Sequence, residues 1–254
     1  MWVVPASDAN ASVIESDRRY VALLAGIGGF VDAAGFLVIL GLFTAHMSGN
    51  STGLGVALAT GQWDEALRRG FVIPAFVLST LAGVAWIEWR SGTSGSREAR
   101  SRAIAGVLGA EVILLAVFMI TAALSRRPIQ LSTDPGAFFL SATAATLAMG
   151  LQNAALRRFL TTAVHTTFVT GMLTELAVAL VQWRLHLRRN QTGEALRSRR
   201  AAWIAGTVWS AYLLGAFGGA WLVFHHGIWT LLFPMLALAG VALALLRPNP
   251  TPSP

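Results

Sequence analysis

Long apolar runs separated by short polar stretches rich in arginine dominate the chain. A hydrocarbon core about 30 Å thick takes about 20 residues of helix at 1.5 Å each. Six segments meet that length: Tyr20–Leu42, Arg69–Trp89, Ala103–Leu124, Gly136–Leu156, Trp203–Phe224 and, more tightly, Ile228–Leu246. Two further segments, Met47–Gln62 and Phe168–Trp183, have only 16 residues each and are salted with Ser, Thr, Asn, Gly or Glu. The pattern predicts an all-α, polytopic transmembrane bundle of six full spans plus two short re-entrant or broken helices.

Each short segment directly follows a full span and opens on a polar turn, and the chain repeats around them. "GFVDAA" (Gly29–Ala34) aligns with "GLQNAA" (Gly150–Ala155) at an offset of 121 residues, and "SGNSTGL" (Ser48–Leu54) with "TGMLTEL" (Thr170–Leu176) at 122. Two matches in order at nearly one spacing point to an internal duplication, a common origin of transporter folds. The expected organisation is a cytoplasmic tail over 1–19, a first repeat over 20–124, a loop over 125–135, a second repeat over 136–246 and a disordered Pro-rich tail over 247–254.

Arginine placement sets the orientation. If the short segments do not cross, 15 of the 19 arginines fall on one side; if both cross, making eight spans, 13 do. The positive-inside rule therefore favours six spans modestly, with both termini cytoplasmic in either case. Six spans, three per half, give the halves opposite orientation, an inverted repeat. Eight would make them parallel and the re-entrant expectation would fail.

Composition narrows the class. The chain of 254 residues is 55% hydrophobic and 12% charged, with a mean hydropathy of +0.61; soluble domains carry roughly 25% charge. The formal charge of +7 is carried on loops between apolar runs too long for a basic groove, so it speaks for membrane orientation and against nucleic acid. All the basic residues are Arg, and we draw no mechanism from that. Zero cysteines exclude disulfides, thiol chemistry and Cys-based metal sites. The N-terminus has no basic region leading into an apolar core, so no cleaved leader is expected.

Polar residues within the apolar runs are the candidate chemistry. Asp32 lies near the middle of the first span, where an ionised carboxylate costs about 3 kcal/mol on insertion scales. It is read either as a proton-, cation- or substrate-binding group or as a hydrogen-bonded tie between helices. On a helix Gly28, Asp32 and Gly35 share a face, so small residues flank the carboxyl and admit a close neighbour. The repeat matches Asp32 with Asn153, a neutral side chain that both donates and accepts. Gln152 and Asn153 are read as an interfacial cap or as polar groups carried to the repeat interface opposite Asp32.

Ser48, Gly49 and Asn50 in one half and Thr170 and Gly171 in the other open the short segments. There they cap free N–H groups or contact a polar ligand. Glu175, beside Thr174 in the repeated motif, is a better cavity-lining candidate than Glu111. His46 and His165 precede the short segments at similar but not identical positions and are read as capping residues or a proton relay. No His is spaced four residues from a second His or Glu, so there is no zinc-hydrolase signature, and no metal or cofactor is expected.

At "GFVDAAGF", "FTAHMSGN", "AMGLQNAALRRF" and "TTFVTGMLTELA" the sequence resembles the YoaK-like bacterial membrane proteins, named as domain of unknown function 1275, over about residues 20 to 246. The family pattern falls on Gly29, Phe30, Asp32 and Ala33, then on Met47, Gly49 and Asn50, then on Gly150, Leu151, Gln152 and Asn153, and on Thr170 and Gly171. Ser48 stands where the family usually has Thr, which keeps the hydroxyl. The resemblance implies a multi-pass protein of the bacterial cytoplasmic membrane and carries no settled activity.

Three functions remain open at this level. The first is a small secondary transporter or channel-like permease for an ion or small polar solute. The second is a structural or regulatory membrane subunit without turnover. The third is an intramembrane serine hydrolase built on Ser48 and His165, for which the usual glycine–serine turn is missing; the expectation is no enzyme. The partners are the lipid bilayer and an unidentified solute or ion, with homo-oligomerisation left open.

Overall fold

The structure, a computed structural model, describes residues 9–92, 96–125, 128–159 and 169–247, with side chains from residue 19 onward and without those of residues 158 and 159. The described residues form eight α-helices and no strand: α1 (Ala9–Val38), α2 (Met47–Ala59), α3 (Trp63–Ser91), α4 (Arg97–Leu124), α5 (Pro135–Phe159), α6 (Val169–Arg188), α7 (Thr192–His226) and α8 (Leu232–Leu246). A 3₁₀ turn, Ile228–Leu231, precedes α8. His165 lies outside the described residues.

Large apolar side chains cover the outside as well as the inside. Leu124 is 84% exposed, Phe224 77% and Trp203 72%, which a water-facing surface does not sustain in such density and a lipid-facing one does. Among the described residues, five helices are long and apolar enough to cross a membrane: Arg19–Val38 of α1, α3, α4, α7, and Ile228–Leu246 spanning the 3₁₀ turn and α8. The sequence pattern counts a sixth in α5. That helix has the length, 25 residues, and is less apolar because Ser141, Thr146, Gln152 and Asn153 are buried along it.

Three boundaries differ from the hydropathy pattern. The first span ends at Val38, not Leu42, because the chain turns at Leu40 and Gly41, which adopt φ of +44° and +75°. Leucine in the left-handed region is strained, and Arg68 holds the turn by donating to the carbonyls of Ile39 and Leu40. At its other end α1 begins at Ala9, so part of the expected tail is helical. The second short segment continues to Arg188 and makes a helix of 20 residues.

Packing contacts fix the helix directions. The Ile129 amide, just past α4, donates to Val38 O at 2.9 Å, so α1 and α4 end on the same face. Arg68, in the second turn of α3, sits at that same level. Between them, residues 44 to 46 turn back to Asp32 inside α1, and α2 then runs beside α3 with Leu54 against Gly70. Helix α2 therefore starts within the bundle and leaves by the face it came from. It is re-entrant.

The second half behaves likewise. Gly26 of α1 lies against Gly215 of α7, and Phe30 against Gly219, so α1 and α7 are parallel. Leu147 of α5 lies against Ser79 of α3, and Leu151 against Gly83, so α5 and α3 are parallel too. Helix α6 ends at Arg188, next to the start of α7, on the face where α5 also ends. The stretch of chain between α5 and α7 therefore begins and ends on one face.

Small residues make these crossings tight. A methyl added to Gly29 would strike the Tyr212 carbonyl, and one added to Gly150 would lie 2.8 Å from the Phe76 carbonyl. Gly29 and Gly150 stand 121 residues apart, and Tyr212 and Phe76 stand 136 apart. The same two offsets relate Phe30 with Gly219 to Leu151 with Gly83, and Gly26 with Gly215 to Leu147 with Ser79. Three contacts of the α1/α7 crossing thus recur at the α5/α3 crossing.

Candidate functional site

The one carboxylate near the middle of the first span organises the turn that follows it. Asp32 is 2% exposed. Its Oδ1 accepts from the Thr44 amide at 2.7 Å, the Ala45 amide at 2.8 Å and the Thr44 hydroxyl at 3.1 Å. Its Oδ2 lies 2.8 Å from His46 Nδ1 and accepts from the Tyr212 hydroxyl, also at 2.8 Å. An ionised carboxylate has about four lone-pair sites, and the two amides, the two hydroxyls and the His46 imidazole converge on this one.

Glycine makes the approach possible. A Cβ on Gly35, one turn beyond Asp32, would strike the Thr44 methyl. The small face of α1 at Gly28, Asp32 and Gly35 therefore admits a loop at one end, and at the other Gly28 faces the Gln152 carboxamide, whose Oε1 would lie 3.7 Å from an added Cβ. The neighbour it admits at Gly35 is the returning chain and not a helix.

Asn50 holds that chain in shape. Its Nδ2 donates to Phe43 O at 2.6 Å and its Oδ1 accepts from the Phe43 amide at 3.2 Å, so both ends of the buried carboxamide are engaged by one residue of the turn. Gly49 lets the Phe43 ring close over the start of α2, since a Cβ there would come within 2.9 Å of it. His46 is the residue before α2 and makes no side-chain cap, because its ring is turned to Asp32.

His46, Asp32 and Tyr212 form a closed triangle. Tyr212 Oη is 3.0 Å from His46 Nδ1, and both lie 2.8 Å from Asp32 Oδ2. With one phenolic proton and at most one proton on Nδ1, the pattern has two arrangements: the imidazole donates to the carboxylate, or it accepts from tyrosine. Phe36, Phe43, His46 and Tyr212 follow one another in ring contact at 4.9, 5.7 and 5.4 Å between centroids. The His46 side chain is 26% exposed, against 2% for Asp32. Asp32 and His46 are also metal-type ligands, but no third carboxylate or imidazole joins them among the described residues.

The other residues singled out by the sequence are spread more widely. Gln152 is buried and donates to Leu24 O at 2.5 Å, two turns along α1 from Asp32. Asn153 is buried, and its Oδ1 has no partner among the described residues. Ser48 and Thr170 are exposed, and Gly171 is half-buried near the start of α6. Glu175 is exposed, whereas Glu111 is fully buried with both carboxyl oxygens unpartnered among the described residues. The structure thus joins Asp32 with His46, and Gly49 with Asn50 around Phe43. It leaves Thr170, Gly171 and Glu175 apart from them.

Sequence inspection passed over Tyr212 and Thr44. Tyr212 lies 180 residues from Asp32, so no spacing marks the pair; its one signal is that it is a tyrosine in the middle of an apolar span, one of two in the chain.

No curated protein and no solved structure matches the chain. The family described as "Protein of unknown function (DUF1275)" matches residues 20–244, which takes in α2 to α7 whole, most of α1 and α8, and every side chain of the Asp32 cluster, and the chain belongs to that family.

Proposed function

We propose that the protein is a small secondary transporter or channel-like permease of the bacterial cytoplasmic membrane, built from an inverted repeat and coupled to protons through Asp32, His46 and Tyr212. The observation that carries this reading is the triangle itself, an intramembrane carboxylate joined to the return turn of a re-entrant helix and to a helix of the other half. Intramembrane ionisable groups at repeat interfaces mark ion and proton paths. The arginine-rich face is taken as cytoplasmic, which puts both termini there.

The chemistry follows from the hydrogen bonds. A proton arriving at His46 faces Asp32 Oδ2 and Tyr212, and its transfer to Oδ2 takes the charge off the carboxyl, leaving only weaker, neutral hydrogen bonds from the Thr44 and Ala45 amides and the Thr44 hydroxyl to Oδ1. Loading the carboxyl therefore weakens the hold on the turn before α2. The repeat supplies the other side of the cycle: Asn153 stands at the position matching Asp32 and Phe76 at that matching Tyr212, so of the two matching crossings only that of α1 with α7 carries the titrating groups. Asp32 and Asn50 are both buried, which fits the closed form of such a cycle.

A second reading, a structural or regulatory subunit, draws on that same closure: none of Asp32, Asn50, Gln152 or Asn153 lines a described cavity. A proteoliposome flux survey over monovalent ions and small polar solutes separates the two. We expect one class of solute to move with wild-type protein and at least about tenfold more slowly with Asp32→Asn, a difference worth about 1.4 kcal/mol. Equal fluxes across the survey for both proteins would leave the structural reading standing.

A further inference from the structure

The hairpin of α6 and α7 carries a feature that transport through Asp32 does not use. A cleft of about 1050 Å³ opens along it, walled by Leu176, Leu180 and Trp183 of α6 and by Trp203, Trp209 and Leu214 of α7. Arg199 and Arg200 stand at one end. From Arg199 to Leu214 is 15 residues, or about 22 Å of helix, against about 15 Å for one leaflet of hydrocarbon. The cleft therefore reaches from headgroup level well into the acyl region.

Its charge is one-sided. Between residues 184 and 200 the chain has Arg184, Arg188, Arg189, Arg197, Arg199 and Arg200 against the single carboxylate of Glu194. Glu194 is taken by Arg197 at 2.9 Å. Arg199 instead rests 5.9 Å over the Trp183 ring, and neither it nor Arg200 stands in an ion pair among the described residues. Guanidinium groups held at a membrane surface with their donors unclaimed match a phosphate, which they bind in bidentate fashion. The flanking tryptophans suit the headgroup boundary.

We propose that this cleft is a binding site for an anionic phospholipid. One acyl chain lies along Leu176, Leu180 and Leu214, and the headgroup phosphate is held by Arg199 and Arg200. A zwitterionic lipid fits the apolar wall equally well but brings its own cation to the arginines, so the site discriminates by charge.

Native mass spectrometry on protein taken from vesicles of equal phosphatidylglycerol and phosphatidylethanolamine tests this directly. Wild-type protein should retain phosphatidylglycerol about tenfold more than phosphatidylethanolamine, and Arg199→Ala with Arg200→Ala should abolish the preference. Leu180→Trp, which fills the cleft and keeps the charge, should lose the bound lipid, while Arg97→Ala with Arg100→Ala at the start of α4 should keep it. Equal retention of the two lipids, or retention indifferent to both cleft variants, would overturn the proposal. So would a dimer that the double arginine variant dissociates, since a second copy would then be the occupant.

Discussion

At the scale of single residues, a buried carboxyl ringed by donors and one with none should respond oppositely to conversion to the amide. Asp32→Asn keeps the volume and can keep an acceptor oxygen on the Thr44 and Ala45 amides, but it removes the charge and turns an NH2 toward the Tyr212 hydroxyl and His46 Nδ1, and it should cost about 3 kcal/mol of stability. Glu111→Gln exchanges a buried carboxyl, which no donor in the described structure meets, for a neutral amide of the same size, so it should leave stability within about 0.5 kcal/mol or raise it. Thermal unfolding in detergent ranks the two, and equal losses would contradict the assignment of partners. Tyr212→Phe deletes one donor to Asp32 with the ring retained, for an expected loss of about 1 to 2 kcal/mol on the same measurement.

These residues were unequally legible. Asp32 announces itself, since a charge in an apolar run is expensive wherever the run folds. His46 was harder to weigh, because it matches the second half only loosely. That mismatch has a physical basis: the imidazole binds a carboxylate that the other half replaces with Asn153. Tyr212 was invisible because its role exists only once α7 packs along α1.

At the scale of helices, the crossing of α1 and α7 rests on glycines whose Cβ positions are filled by the opposite backbone. Gly29→Ala should force the pair apart and cost about 1 to 3 kcal/mol or more. Gly218→Ala, three residues from Gly215 on the same helix with open space around it, should be neutral or slightly stabilising. Heat denaturation of the two variants side by side checks the crossing, and a Gly29→Ala protein as stable as Gly218→Ala would exclude it.

Helix existence was readable throughout from run length, and helix ends were not. Hydropathy carries the first span on to Leu42, yet the helix stops at Val38 because the chain reverses there under the grip of Arg68, a long-range contact. The reach of α6 to Arg188 was hidden for a related reason: "RLHLRR" reads as a loop, but charged side chains on a helix that runs out of the bundle keep to solvent and cost nothing to extend.

At the scale of the molecule, the proposed inverted repeat requires the two short helices to return to opposite faces. Cysteines at Gln62 and Gln191, each exposed just before the second helix of a re-entrant hairpin, can be placed in a chain that has no other cysteine. A membrane-impermeant maleimide should label them from opposite sides of a right-side-out vesicle. Labelling from one side would mean eight crossings and parallel halves. The sequence could only lean toward six by counting arginines, whereas the contacts of Val38, Arg68 and Asp32 follow the chain in and out again.

Whether that architecture moves protons through Asp32 is open to one direct measurement, the internal pH of proteoliposomes carrying a trapped dye after a solute gradient is imposed. Proton movement should accompany the transported solute with wild-type protein, slow with Tyr212→Phe and cease with Asp32→Asn. An internal pH that follows the same course with Asp32→Asn as with wild type would contradict the assignment of the triangle as the coupling site.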